Sequence, residues 1–226
     1  MGAQGVRQRP LPWFLLLAGL GWVVPAPPAH AAELVVRVDD GSGHPVADAV
    51  VMVSPRGSAR KDAAEAPVRR IIDQKALAFI PYLEVFRPGD EVVFRNSDRT
   101  RHHVYSFSPV KAFEFVLAPR ESSSPLQLDK LGAVAVGCNI HDGMIAYLYI
   151  TDARWFAHSD ASGEVRFRRL APGAYDVRVW QPRLRPDRTE PRQTVGLEGQ
   201  DSRTLRFALS LLPDPRLHHR REQMHY

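Results

Sequence analysis

A cysteine, a histidine and a methionine stand three residues apart in Cys138-Asn139-Ile140-His141-Asp142-Gly143-Met144. Thiolate, imidazole and thioether form a soft donor set suited to copper, and two imidazoles, one thiolate and a weak axial thioether are the geometry of blue-copper electron transfer. Such a set needs a second imidazole from elsewhere. The stretch from Glu91 to Val104 offers it, because His102 and His103 stand side by side at the start of a strand-like run. Cys138 is the sole cysteine, so no internal disulfide can form. A lone thiol in an oxidising compartment survives when it is buried or ligated. Isolated cysteines are usually small core hydrophobes, but the His and Met that follow this one argue for a ligand.

The elements around that loop are short strands. The loop follows Ala133 to Val136 and precedes Ile145 to Thr151. Alternating or β-branched runs also occur at Glu33–Asp39, Ala49–Val53, Arg70–Asp73, Tyr82–Phe86, Glu91–Arg95, Val104–Phe107, Ala112–Leu117 and Leu126–Leu128. Turn signals such as Arg87-Pro88-Gly89-Asp90 separate them. Further strands are expected at Glu164–Arg168, Ala174–Trp180 and Ser202–Ala208, and no segment carries an amphipathic helical period. With 19 prolines and 44% hydrophobic residues in 226, the pattern predicts an all-β sandwich protein with real cores.

Residues 1–31 read as a secretory signal peptide. Arg7 and Arg9 precede an apolar run from Leu11 to Val24, and Ala29-His30-Ala31 offers a cleavage site. The run is short for a membrane span and is closed by Pro25, Pro27 and Pro28, so no span is expected after cleavage. Processing removes two arginines from a net charge of +5 and leaves +3. That mild excess is scattered instead of striped with aromatics, which argues against a nucleic-acid partner. Nucleophile motifs, phosphate loops and recognisable acid pairs are absent, so no enzyme activity is expected.

The Pro88-Gly89 turn, the strand Val92-Val93-Phe94-Arg95-Asn96, the following histidine and the Cys-His-Met loop together resemble the cupredoxins, in particular plastocyanin and amicyanin. The short spacing of the loop is similar to that of amicyanin. The resemblance implies a Greek-key β-sandwich over residues 66–152 and one type 1 copper held by His102, Cys138, His141 and Met144. His103 would then fall beside the metal shell and bond the Asn139 region, since neighbouring strand residues face opposite sides. It also implies that His141 lies near the surface as the exit for the electron, with Ile140 and Gly143 around it. Along Val104–Ser108, Lys111–Phe115 and Gly137–Asp142 the chain is similar to periplasmic proteins described as methylamine utilization proteins, a description that implies no role for methylamine here.

A second resemblance lies on either side. Asp160-x₂-Gly163-x-Val165-x-Phe167 with Leu170-x-Pro172-Gly173-x-Tyr175-x-Val177 resembles the second half of a carboxypeptidase-regulatory-like (transthyretin-like) sandwich. Pro45-Val46-Ala47-Asp48-Ala49-Val50-Val51 resembles its first half. The expected organisation is therefore a sandwich of residues 33–60 and 153–210 with the copper domain inserted, and a flexible tail over 211–226. A tandem arrangement is the alternative.

These readings predict a periplasmic carrier of single electrons between protein partners. Arg99 and Arg101 beside His102 point to partners with a locally acidic surface. The same ligands would serve a copper chaperone or scaffold that binds Cu(I) for delivery, and the flanking sandwich could make the chain a non-redox binding module. His218, His219, Met224 and His225 near the C-terminus could gather copper loosely, although a solvated basic tail explains them better.

Overall fold

In a computed structural model, the protein is described at Gly2 and over residues 32–57, 66–185, 189–199 and 202–216. The signal-peptide reading of residues 1–31 and the tail residues His218, His219, Met224 and His225 lie outside the described residues. Sixteen strands are described: β1 (Ala32–Asp39), β2 (Val50–Pro55), β3 (Arg69–Lys75), β4 (Ala78–Ile80), β5 (Leu83–Phe86), β6 (Glu91–Asn96), β7 (His102–Ser108) and β8 (Lys111–Leu117) come first. Then follow β9 (Leu126–Gln127), β10 (Gly132–Cys138), β11 (Ile145–Ile150), β12 (Trp155–His158), β13 (Glu164–Leu170), β14 (Gly173–Trp180), β15 (Arg192–Leu197) and β16 (Ser202–Ala208). The chain is an all-β protein, and no described helix is long and apolar enough to cross a membrane.

Strands β3 to β11 form two sheets, ordered β5-β11-β10-β7-β8 and β4-β3-β6-β9. Phe86, Phe94, Val104, Val134 and Leu148 fill the space between them. Phe94 is the hub: it stacks on Phe113 at 5.2 Å and meets Phe79 edge-on at 6.5 Å. The flanking strands make a separate pair of sheets, β13-β1-β16 and β12-β2-β14-β15, around a second core with Leu34, Val51, Val177 and Phe207. Here β1 pairs in parallel with β16 and antiparallel with β13, so residues from both ends of the described chain share one sheet.

The two sandwiches meet along a third apolar cluster. Val50 and Met52 of β2 contribute, with Leu83 and Val85 of β5 and Tyr149 of β11. Alternation along β14 explains its double role: Tyr175, Val177 and Val179 point into their own core, while Trp180 points the other way. Trp180 stacks on Tyr149 at 4.6 Å and meets Tyr147 at 6.0 Å. Such aromatic pairs contribute about 0.5–1.5 kcal/mol beyond their buried area.

Three strands escape the sequence pattern. Strand β4 is only three residues long and follows Ala76 and Leu77, which both take positive φ. Strand β12 lacks alternation, and β15 is an edge partner of β14 that turns only Val195 and Leu197 toward the core as apolar residues. Within the stretch expected to form the tail, residues 211–216 make contacts with the rest of the chain. The Leu212 amide donates to the Arg183 carbonyl at 2.9 Å. Arg216 pairs with Asp214 at 2.8 Å and Asp48 at 2.9 Å, and its guanidinium lies 4.1 Å from the Tyr82 ring centre. A cation with two carboxylates and an aromatic face has reason to stay in place.

Gly163 ties the two halves of the flanking sandwich together. It has φ +72°, its carbonyl accepts from the Val38 amide at 2.8 Å, and an added Cβ would collide with the Val38 carbonyl oxygen. Gly43, at φ +89°, faces open space. Gly43→Ala should therefore cost only the about 1–2 kcal/mol of a left-handed L-residue. Gly163→Ala should cost clearly more, because backbone must move. Urea unfolding of both variants checks the order; equal losses would show that the collision is relieved without cost.

Candidate metal centre

Three elements bring the site together. Strand β7 carries His102 inward, with Val104 and Ser106 on the same buried face, and turns His103, Tyr105 and Phe107 outward. Strand β10 ends at Cys138, directly opposite Val104 of β7. The loop from Cys138 to Met144 then closes on itself: the Cys138 amide donates to the Met144 carbonyl at 3.3 Å, and Gly143 takes the left-handed conformation, φ 75°, that the turn requires. The Asn139 amide donates to the His103 carbonyl at 3.0 Å, fastening the loop to β7.

Ligand atoms of His102, Cys138 and His141 lie within 4.8 Å of one another. The Cys138 Sγ stands 3.7 Å from His102 Nδ1 and 3.6 Å from His141 Nδ1. Two ligands held about 2.0–2.3 Å from one ion and about 120° apart stand about 3.7 Å from each other. The spacing therefore fits a trigonal ion position between the sulfur and the two nitrogens. Met144 is buried in the same core cluster as Cys138, at 4% exposure. His102 is fully buried, whereas His141 is partly open and Ile140 beside it is 50% exposed.

The ring of His102 is oriented from behind. Its Nε2 lies 3.0 Å from Asp98 Oδ2, and the same carboxylate accepts from the backbone amides of Ala76 at 2.6 Å and Leu77 at 3.1 Å. Burial pushes the Asp98 carboxyl upward, but these hydrogen bonds, that of His102 included, outweigh it and hold the group below its ordinary range. An ionised carboxylate at Nε2 keeps the ring proton there and leaves the Nδ1 lone pair facing Cys138. His141 is pushed below its usual value by burial first and by the nearby His102 second, which favours the neutral imidazole a metal needs.

Asn96 shapes the segment that delivers His102. Its buried amide Nδ2 donates to the carbonyls of Thr100, Leu117 and Ala118 at 2.8–3.1 Å, and its Oδ1 accepts from the Asp98 amide at 2.9 Å. His103 serves the opposite face: its Nε2 meets Glu114 Oε1 at 2.6 Å and its Nδ1 stands 3.5 Å from Asn139 Nδ2. The geometry thus turns His102, and not His103, toward Cys138. Arg99 and Arg101 are exposed beside it. The sequence reading passed over Asp98. A carboxylate four residues before a candidate ligand is the signal that could have found it.

No protein-family model and no curated protein sequence matches the chain. Among solved structures, it is similar to a copper-containing nitrite reductase from Thermus scotoductus SA-01, at 20% identity over 44% of this chain, with a TM-score of 0.35. This chain spans a quarter of that enzyme's length. It is also similar to amicyanin variants, for instance one in the Cu(I) form at 16% identity, covering 45% of this chain and 98% of that one, with a TM-score of 0.34. An oxidised amicyanin variant gives 17% identity and the same score. Likenesses this distant leave the weight on the site's own geometry.

Asp98→Ala should free the His102 ring. In the metal-free protein, nitrogen NMR should show a single Nε2–H tautomer for His102 and a mixture in the variant, with Cu(I) affinity reduced about ten- to a hundred-fold. An unchanged tautomer and affinity would remove Asp98 from the account. His103→Ala should leave both readouts close to those of the parent.

Proposed function

We propose that this chain is an exported cupredoxin that holds one type 1 copper through His102, Cys138, His141 and Met144 and passes single electrons between protein partners. The convergence of His102 Nδ1 and His141 Nδ1 on Cys138 Sγ, at 3.7 and 3.6 Å, carries the reading. A copper ion there supplies exchange between Cu(I) and Cu(II). The chain's part is to keep one arrangement of donors for both states. His102 is fixed by Asp98 and by Asn96 behind it, and Cys138 by β10 and the loop closure to Met144. Their immobility limits the rearrangement that accompanies each electron. His141, the ligand on the open side, gives the shortest route to a partner.

In this reading residues 1–31 direct export to the periplasm. The sheets of β3–β11 are the cupredoxin, inserted within a carboxypeptidase-regulatory-like sandwich. The sheet orders support insertion, because β1 and β2 pair only with strands that follow β11. The exposed Arg99 and Arg101 suit a partner with an acidic face.

Absorption and EPR of the Cu(II)-loaded protein beside Cys138→Ser test the site. Intense thiolate-to-copper absorption and narrow hyperfine splitting are expected, and both should vanish in the variant. A colourless protein with an ordinary tetragonal signal would refute type 1 copper and direct attention to Cu(I) delivery. Changing Arg99 and Arg101 together to Ser should flatten the salt dependence of partner binding without altering the absorption. An unaltered dependence would refute the acidic-partner reading.

A further inference from the structure

The five-stranded sheet is flanked at one edge and open at the other. Leu83 and Val85 of the edge strand β5 lie against the flanking sandwich. At the opposite edge, β8 pairs only with β7. The hydrogen bonds of β7 define which groups of β8 are free. The Asn139 amide donates to the His103 carbonyl, so His103 turns its backbone toward β10, and by the two-residue period so do Tyr105 and Phe107. His102, Val104, Ser106 and Ser108 therefore bond to Leu117, Phe115, Phe113 and Lys111 of β8. The N–H and C=O groups of Ala112, Glu114 and Val116 point away from the sheet, and no backbone group among the described residues meets them. The side chains of the same residues are exposed, Val116 at 55%.

Edge strands that stay unpaired are commonly short, bulged, interrupted by proline or covered. Strand β8 runs seven residues without proline and keeps an unbroken register along β7. Its charges are Lys111 at the hairpin end and Glu114, which His103 engages. We propose that a second copy of this chain pairs with β8 edge to edge, antiparallel, and continues the sheet across a twofold axis. The strand complements itself. With Glu114 on the axis, Ala112 of each copy faces Val116 of the other, and every outward N–H meets an outward C=O. On the inner side Phe113 faces Phe115, which extends the aromatic group that both rings form with Phe94 at 5.2 and 6.1 Å. Like charges oppose the pairing, because Glu114 meets its own copy and the chain carries +5. Backbone and apolar contacts must therefore hold it. Leu117, the residue opposite His102, falls at opposite ends of the shared sheet in the two copies. Pairing thus leaves both Cys138–Met144 loops uncovered.

The pair requires no copper, so it is tested on metal-free protein and stands apart from the reading of the metal centre. Sedimentation velocity over micromolar to millimolar concentrations should show a reversible monomer–dimer equilibrium. Amide hydrogen exchange at Ala112, Glu114 and Val116 should slow several-fold as the dimer forms, while exchange at the exposed Leu131 stays the same. Added salt should tighten the pair by screening the charges that oppose it. Val116→Pro removes an outward N–H, a change that an edge strand tolerates, and should leave a folded monomer. Val116→Lys keeps the backbone intact and should loosen the pair about ten-fold. A monomer at every concentration would overturn the proposal. So would a dimer whose β8 amides exchange as fast as in the monomer, or one that persists undiminished in both variants, since the contact would then lie elsewhere. Loosening by salt would overturn it too, because ion pairs and not the strand edge would be joining the copies.

Discussion

Nothing about this site works unless His102 and Cys138 face each other across the seam between β7 and β10, in a core that excludes water from one of them completely. A histidine at zero exposure needs a partner for each ring nitrogen, because an unsatisfied buried polar atom costs about 1–3 kcal/mol. Asp98 provides for Nε2, and the Cys138 Sγ faces Nδ1. Asp98 is in turn held by the Ala76 and Leu77 amides, presented by a turn of two consecutive residues with positive φ. The order of dependence therefore runs outward, from the ring to the carboxylate to a strained turn between β3 and β4. Such strain costs about 1–3 kcal/mol per residue and persists where the surroundings fix it.

The loop end of the site is built with less. Gly143 makes the turn, one backbone hydrogen bond closes it, and another fastens Asn139 to His103. His141 and Ile140 are left partly open by this economy. One imidazole is locked and hidden while the other is accessible. The flanking sandwich does not touch this loop through the shared apolar cluster. It grips the same sheet at the far end, through Trp180 on Tyr149.

How far the fold was legible follows from where the physics is local. Strands β6, β7, β10 and β11 announce themselves by alternation and by turns with fixed chemistry, and the Cys-His-Met spacing is contained in seven residues. The choice between His102 and His103 needed the period-two geometry of a strand, and the structure shows the two rings on opposite faces. Asp98 was missed because its role depends on amides from residues 76 and 77, which adjoin it only after β3 and β6 pair in parallel. Strand β15 was missed because only Val195 and Leu197 on its inward side are apolar, too short an alternation to stand out; its identity comes from β14. Trp180 closes the strand predicted over Ala174–Trp180. Its true place, between two sandwiches, could not be seen before the sheets had outer faces.

The pairing of Glu33 with Ser202 has a consequence for how the molecule assembles. Closing so long a loop is entropically costly when the intervening chain is disordered, and the cost rises with the logarithm of its length. Every ladder of strands β3 to β11 closes within their own span, so that part can condense by itself. With it folded, less free chain separates Val53 from Trp155, which pair across β2 and β12. Strands β3 to β11 then act as a clasp that shortens the effective loop between β2 and β12. It follows that the outer sandwich borrows part of its cooperativity from the inner one, and damage at the centre of the molecule is felt at its two ends.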